Sequence, residues 1–133
     1  MEFASSDVTS FWIVDDGAKV GLVRLLDLAD IGEGAPLFDL RIASQHRGRG
    51  VGTAATQWIV EHLFTNHPDL HRVEANTRHD NIAMKQILAK VGFTPEGRLR
   101  EAWRDGEGQW FDTVIFGMLR TDWHGIEPRR AEV

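Results

Sequence analysis

Arg47-Gly48-Arg49-Gly50-Val51-Gly52 is the stretch whose residue types most directly suggest chemistry: glycines at close spacing with two arginines among them. β-type residues precede it and a helical pattern follows, so it falls where backbone N–H groups emerge and a helix dipole favours an anion. Glycines let the main chain wrap closely around phosphate oxygens, and alternate residues of such a nest need φ values that only glycine adopts cheaply. Phosphate binding is therefore the chemistry expected, with a flexible strand-to-helix connection as the plain alternative. Two other phosphate designs fit poorly. Gly50-Val51-Gly52-Thr53-Ala54-Ala55 formally matches the dinucleotide fingerprint G-x-G-x-x-A, but that motif belongs to an alternating β-α parallel sheet. Here hairpin patterns stand on both sides and Glu74 lies inside the following strand. No G-K-[ST] follows the glycines, which removes the lysine and magnesium-binding hydroxyl of a Walker loop.

The elements that would position this run read clearly. Phe11 to Val14 and Val20 to Leu26, separated by Asp15-Asp16-Gly17, predict a hairpin, and Phe38, Leu40 and Ile42 alternate with Asp39 and Arg41 in a third strand over 36–43. After the glycines, Val51, Ala54, Ala55, Trp58, Ile59, His62 and Leu63 fall at helical spacing until Asn66-His67-Pro68. Leu70 to Thr77 predicts a strand. Asp80 or Asn81 then offers an N-cap to a helix over about 81–91, closed by Gly92. Two β segments, Thr94 to Trp103 and Trp110 to Leu119, flank the turn Asp105-Gly106-Glu107-Gly108. The order is β-β-β-α-β-α-β-β.

At 133 residues the chain has the size of one domain, read as 1–133 with a loose tail at 127–133. Its 42% apolar and 26% charged residues suit a globular protein, and no run approaches the roughly 18 apolar residues of a membrane span. Glu2 and Asp7 near the start, with no basic region or apolar run, give no secretory signal, so the expected compartment is the cytoplasm. A net charge of -5 argues against a nucleic-acid partner. Zero cysteines exclude disulfides and thiolate metal sites; His67 and His71 are separated by Pro68 and cannot pair on a helix face, so no metal is expected. Trp58, Trp103, Trp110 and Trp123 are read as core or dimer-interface residues, which leaves a homodimer among the open assemblies.

Gln45-His46-Arg47-Gly48-Arg49-Gly50 resembles the Q/R-x-x-G-x-G/A loop of the GNAT acetyltransferase superfamily. Asn81-Ile82-Ala83-Met84, Lys90-Val91-Gly92-Phe93, Glu96-Gly97 and Arg100 resemble the signature of its ribosomal-protein-alanine branch, and the likeness runs over about 11–123. The resemblance implies a mixed, mostly antiparallel sheet flanked by helices, with acetyl-CoA as co-substrate between the strands ending near Ala43 and Thr77. Backbone groups of Ile42, Ala43 and Ser44 would hold the pantetheine arm. Those of Arg47, Gly48, Arg49, Gly50, Val51 and Gly52, with Thr53, would hold the pyrophosphate, and Asn81 would reach the cofactor or act as a plain N-cap. The implied activity is N-acetyltransfer to a primary amine, either a protein N-terminus or a small amine. Direct attack on a thioester needs a route for the amine proton, donors for the oxyanion and a proton for the thiolate. Glu74 and Asp39 are the candidate bases, each with a surface or paired carboxylate as its alternative, and His79 is a third.

Two departures bear on that implication. Relatives carry a tyrosine or serine where this chain has Leu88 and Met84, and the chain has no tyrosine at all. Members of the branch usually carry a first strand and two helices before the hairpin that opens here at Phe11, so the resemblance implies a shortened N-terminus with an open acceptor site, a site completed by a partner chain, or a gene start upstream of Met1. The second reading is a catalytically weak CoA-binding module or a subunit of a larger assembly.

Overall fold

A computed structural model of the chain describes residues 8–15, 17–26, 37–42 and 50–123, with the backbone alone at 8–10, 15, 20, 22–26 and 37–42. The elements are β1 (Val8–Asp15), β2 (Ala18–Leu26), β3 (Leu37–Ile42), α1 (Val51–Asn66), β4 (Arg72–Arg78), α2 (Ile82–Val91), β5 (Thr94–Arg104) and β6 (Trp110–Leu119). A helical turn at 120–123 follows β6. The predicted order holds throughout.

Local chemistry sets the boundaries. Gly17, at φ 80°, turns β1 into β2. Helix α2 starts where the Asn81 Oδ1 accepts the Met84 N–H at 3.1 Å, and it ends where Gly92, at φ 120°, lets the N–H groups of Gly92 and Phe93 both reach the Leu88 carbonyl. In the β5–β6 turn the Asp105 carboxylate accepts the N–H groups of Glu107 (2.9 Å) and Gln109 (2.8 Å).

The six strands form one sheet in the order β1-β2-β3-β4-β6-β5. Every neighbouring pair is antiparallel except β3 and β4, the parallel pair that the crossover α1 makes necessary. This is the mixed, mostly antiparallel sheet expected. Along β4, Val73, Ala75 and Thr77 are buried while Arg72, Glu74, Asn76 and Arg78 are half-buried or exposed. The buried set packs with Ile59 and Leu63 of α1, Leu88 and Val91 of α2, and Phe116 and Met118 of β6, so both helices cover one face of β4. Strand alternation then puts Arg72, Glu74, Asn76 and Arg78 on the opposite face.

The tryptophans divide. Trp123 is buried against Phe64, with ring centroids 5.3 Å apart, whereas Trp58 is exposed and stacks on His62 at 4.7 Å with Phe11 edge-on. Trp103 and Trp110 sit exposed on the hairpin rather than in a core, because β5 is an edge strand and β6 begins beyond the end of β4.

Candidate functional site

The parallel pairing of β3 with β4 registers only Leu37 with Glu74 and Phe38 with Ala75, although β3 continues to Ile42 and β4 to Arg78. The strands therefore part beyond Phe38 and Ala75. α1 begins shortly after the parted end of β3, and α2 begins just after the parted end of β4. A crevice at the carboxyl ends of parallel strands, with helix N-termini beside it, is suited to an extended ligand that ends in phosphate.

The start of α1 fits an anion. Gly50 caps it in the left-handed region (φ 79°, ψ 1°), with no side-chain hydrogen bond and no acidic residue in the first turn. Among the described residues the first-turn N–H groups have no side-chain acceptor, and a Cβ placed at Gly50 would meet nothing within 4 Å. Val51 and Thr53 are half-buried there, whereas Gly52 is buried and its carbonyl accepts the Thr56 hydroxyl at 2.7 Å. Ala43, Ser44, Arg47, Gly48 and Arg49 lie outside the described residues; Ile42 is described as the backbone end of β3, paired with Gly21.

On α2, the capping reading of Asn81 is realised: Oδ1 is engaged by the Met84 N–H, and the Nδ2 amide is the part of that side chain that remains for a ligand. Leu88 is fully buried in the core, and Met84 is half-buried against it. Neither can donate a proton.

The proposed bases sit differently. Glu74 stands at the point where β3 and β4 part, on the face of β4 away from the helices. Its Oε2 accepts the Arg72 Nε–H at 2.9 Å, and Arg72 is in turn held by both oxygens of Glu96, at 3.0 and 2.5 Å. Donation to Glu96 is the largest influence holding the Arg72 guanidinium above its ordinary range, and the same bonds hold the Glu96 carboxyl below its own. Asp39 is one residue past the last parallel pair, and its side chain is outside the described residues. The Nδ1 of His79 lies 3.1 Å from the Asp112 N and 3.2 Å from the Asp112 carbonyl oxygen, so the ring is held against the backbone of β6. Asp112 is a structural anchor: one oxygen accepts the Glu101 N–H (2.9 Å), the other the Arg98 Nε–H (2.7 Å), and these bonds hold its carboxyl below the ordinary range.

A groove of about 440 Å³ lies between β1 and the first turns of α1, lined by Phe11, Trp12, Val14, Val51, Ala55 and Trp58, none of them titratable. Among the described residues, no group of three or more metal-ligating side chains comes together, and no helix is long and apolar enough to cross a membrane.

The sequence matches the acetyltransferase (GNAT) domain family over residues 2–94, and the chain belongs to that family. GNAT domains use acetyl-CoA. In sequence the chain is similar to the spermidine N(1)-acetyltransferase of Escherichia coli (strain K12), at 29% identity over 89 residues, 67% of this chain and 47% of that protein. It thus spans about half the length of the curated relatives it matches. Two solved structures share the fold. A Vibrio cholerae spermidine/spermine N-acetyltransferase superposes with TM-score 0.79 at 22% identity, covering 92% of this chain and 71% of that one. A ribosomal-protein-S5-alanine acetyltransferase from Vibrio fischeri gives 0.77 at 23%, covering 87% and 63%.

The Arg72–Glu96 pair escaped the sequence reading. Its members are 24 residues apart, and Glu96 could be read there only as part of a Glu-Gly motif.

Proposed function

We propose that the chain is the acetyl-CoA-binding and catalytic part of an N-acetyltransferase that acts on a primary amine, either a polyamine or a protein N-terminus. The observation that carries this reading is the two-residue parallel pairing of β3 and β4, with helix starts at the parted end and Glu74 at the point of parting. Backbone groups of Ile42, Ala43 and Ser44 hold the pantetheine arm in this scheme. Arg47, Gly48, Arg49, Gly50, Val51, Gly52 and Thr53 hold the pyrophosphate, and the Asn81 amide adds a donor from α2.

The acceptor arrives as an ammonium and must lose a proton before its lone pair can attack. Glu74 takes that proton, directly or through water, with Asp39 as the alternative base. The nitrogen bonds to the thioester carbonyl carbon, the tetrahedral adduct collapses, and the carbon–sulfur bond breaks. A thiolate leaves without a dedicated acid, so with Leu88 and Met84 in place its proton comes from water or the attacking amine.

A second reading, a CoA-binding module with little turnover, draws on those same two apolar residues and on the half-length match to the relatives. Titration calorimetry with acetyl-CoA, followed by a thiol-release assay with spermidine and with Ala- or Ser-starting peptides, separates the two. Binding with thiol release is expected. Binding without release favours the module, and no binding overturns both.

A further inference from the structure

We propose that Arg72, clamped by Glu96 across Gly117, is a positioning residue that aims Glu74 at the acceptor amine. The inference rests on the reading of Glu74 as the base and adds the device that orients it. Arg72 and Glu74 share the face of β4 that the helices leave uncovered, and Glu96 reaches them from β5 over the intervening strand β6. Three features make that reach possible. The register of β5 on β6 shifts between Pro95 and Gly97, so Glu96 occupies a bulge, a device that re-aims a side chain. Gly117, the β6 residue opposite Glu74, supplies no side chain; a Cβ there would lie 2.6 Å from the Glu96 Oε1 and closer still to the Arg72 Nη1. The Arg72 guanidinium then receives Glu96 on Nη1 and Nη2 as a fork, which fixes its plane, and turns Nε to Glu74.

The outcome is asymmetric. Glu74 gives Oε2 to Arg72, and its Oε1 is left for the incoming ammonium or a bridging water. Two carboxylates around one guanidinium also leave this cluster with a net negative charge, which suits a cationic acceptor. Part-exposed ion pairs contribute little to stability. A bulge, a bare glycine and a forked arginine converging on one carboxylate are therefore better accounted for by positioning than by stabilisation.

The test is steady-state thiol release by the full chain with acetyl-CoA and either spermidine or an Ala-starting peptide, for Glu74→Gln, Glu96→Gln, Arg72→Lys, Gly117→Ala and the Glu74→Gln/Glu96→Gln double variant. Expected are a fall in kcat of about 100-fold or more for Glu74→Gln and about 10-fold for Glu96→Gln and Gly117→Ala, with at least as large a fall for Arg72→Lys, which keeps the charge but loses the fork. The KM for acetyl-CoA and the urea midpoint should stay near the parent values. The double variant should be no slower than Glu74→Gln alone, because a clamp has nothing left to aim. A slow Glu74→Gln beside clamp variants at the parent rate overturns the positioning role and leaves the base standing; so does a double variant whose losses multiply. Glu74→Gln at the parent rate, or a parent chain that releases no thiol with either amine, overturns the base and the clamp together.

Discussion

The Oδ1 of Asn81 is committed to the Met84 N–H, whereas its Nδ2 is free to meet a ligand, so one side chain can serve both the helix and the cofactor. Asn81→Ala should cost about 1 kcal/mol of stability through the lost cap and also weaken acetyl-CoA binding. Asn81→Ser keeps a capping oxygen, so it should restore the urea midpoint without restoring the calorimetric Kd. Gly50 permits a similar separation. Its φ of 79° strains any other residue, yet the space beside it is open. Gly50→Ala should therefore lose about 1–2 kcal/mol and still bind acetyl-CoA, whereas Gly50→Glu, equally strained, should bind none because it sets a negative charge against the pyrophosphate. Comparable affinities for the two variants would remove the phosphate from this helix start.

Arg120 ties three elements together from the turn after β6. Its guanidinium donates to the carbonyls of Phe64 (3.0 Å) and His67 (2.8 Å) at the end of α1, and to Leu70 (2.8 Å) before β4. These are carbonyls that the helix itself cannot satisfy, and a cation there also meets the negative end of the dipole. Arg120→Ala should destabilise the chain by about 2–4 kcal/mol in urea unfolding, with Arg120→Lys costing less. Acid should act elsewhere, at the carboxyls of Asp80 and Asp112, each held below its ordinary range by hydrogen bonds, from Arg78 for the first and from the Glu101 N–H with Arg98 for the second. Depressed carboxyls contribute stability that is complete above their unfolded-state range and is lost as pH falls through the folded-state values. The melting temperature should therefore drop below about pH 4, and the drop should be shallower in Asp112→Asn. The element boundaries were legible in the sequence because punctuation marks them: Gly17, Pro68, Asn81, Gly92 and Asp105 each act through their own backbone or side chain within a few residues. The Arg120 tie and the Arg72–Glu96 clamp were not, since each spans many residues and exists only once the strands have paired.

Across the whole molecule, the sequence singled out the glycine run as a candidate phosphate site and Glu74 and Asp39 as candidate bases, and left unread what holds Glu74 in place. A local glycine run has a pattern of its own, while Glu74, Arg72, Gly117 and Glu96 come together only through strand order and register. Acetyl-CoA lying in the crevice would touch both parts of the sheet at once. Saturation at about 100 times Kd should then raise stability by about 2.7 kcal/mol, read as a rise in melting temperature. The two-pair joint between β3 and β4 also bears on how the molecule comes apart. Among the described residues, the buried core is drawn from α1, β4, α2 and β6 with their flanking turns, and β1 adds only the partly buried Phe11 and Ile13. Two paired residues join the β1–β3 meander to β4, beside the Phe11 contacts with Trp58 and His62 on α1, so its amides should exchange with solvent earlier than those of β4 and β6. Ligand should close that gap in exchange rates. The crevice would then be the place where a bound cofactor fastens the meander to the rest of the sheet.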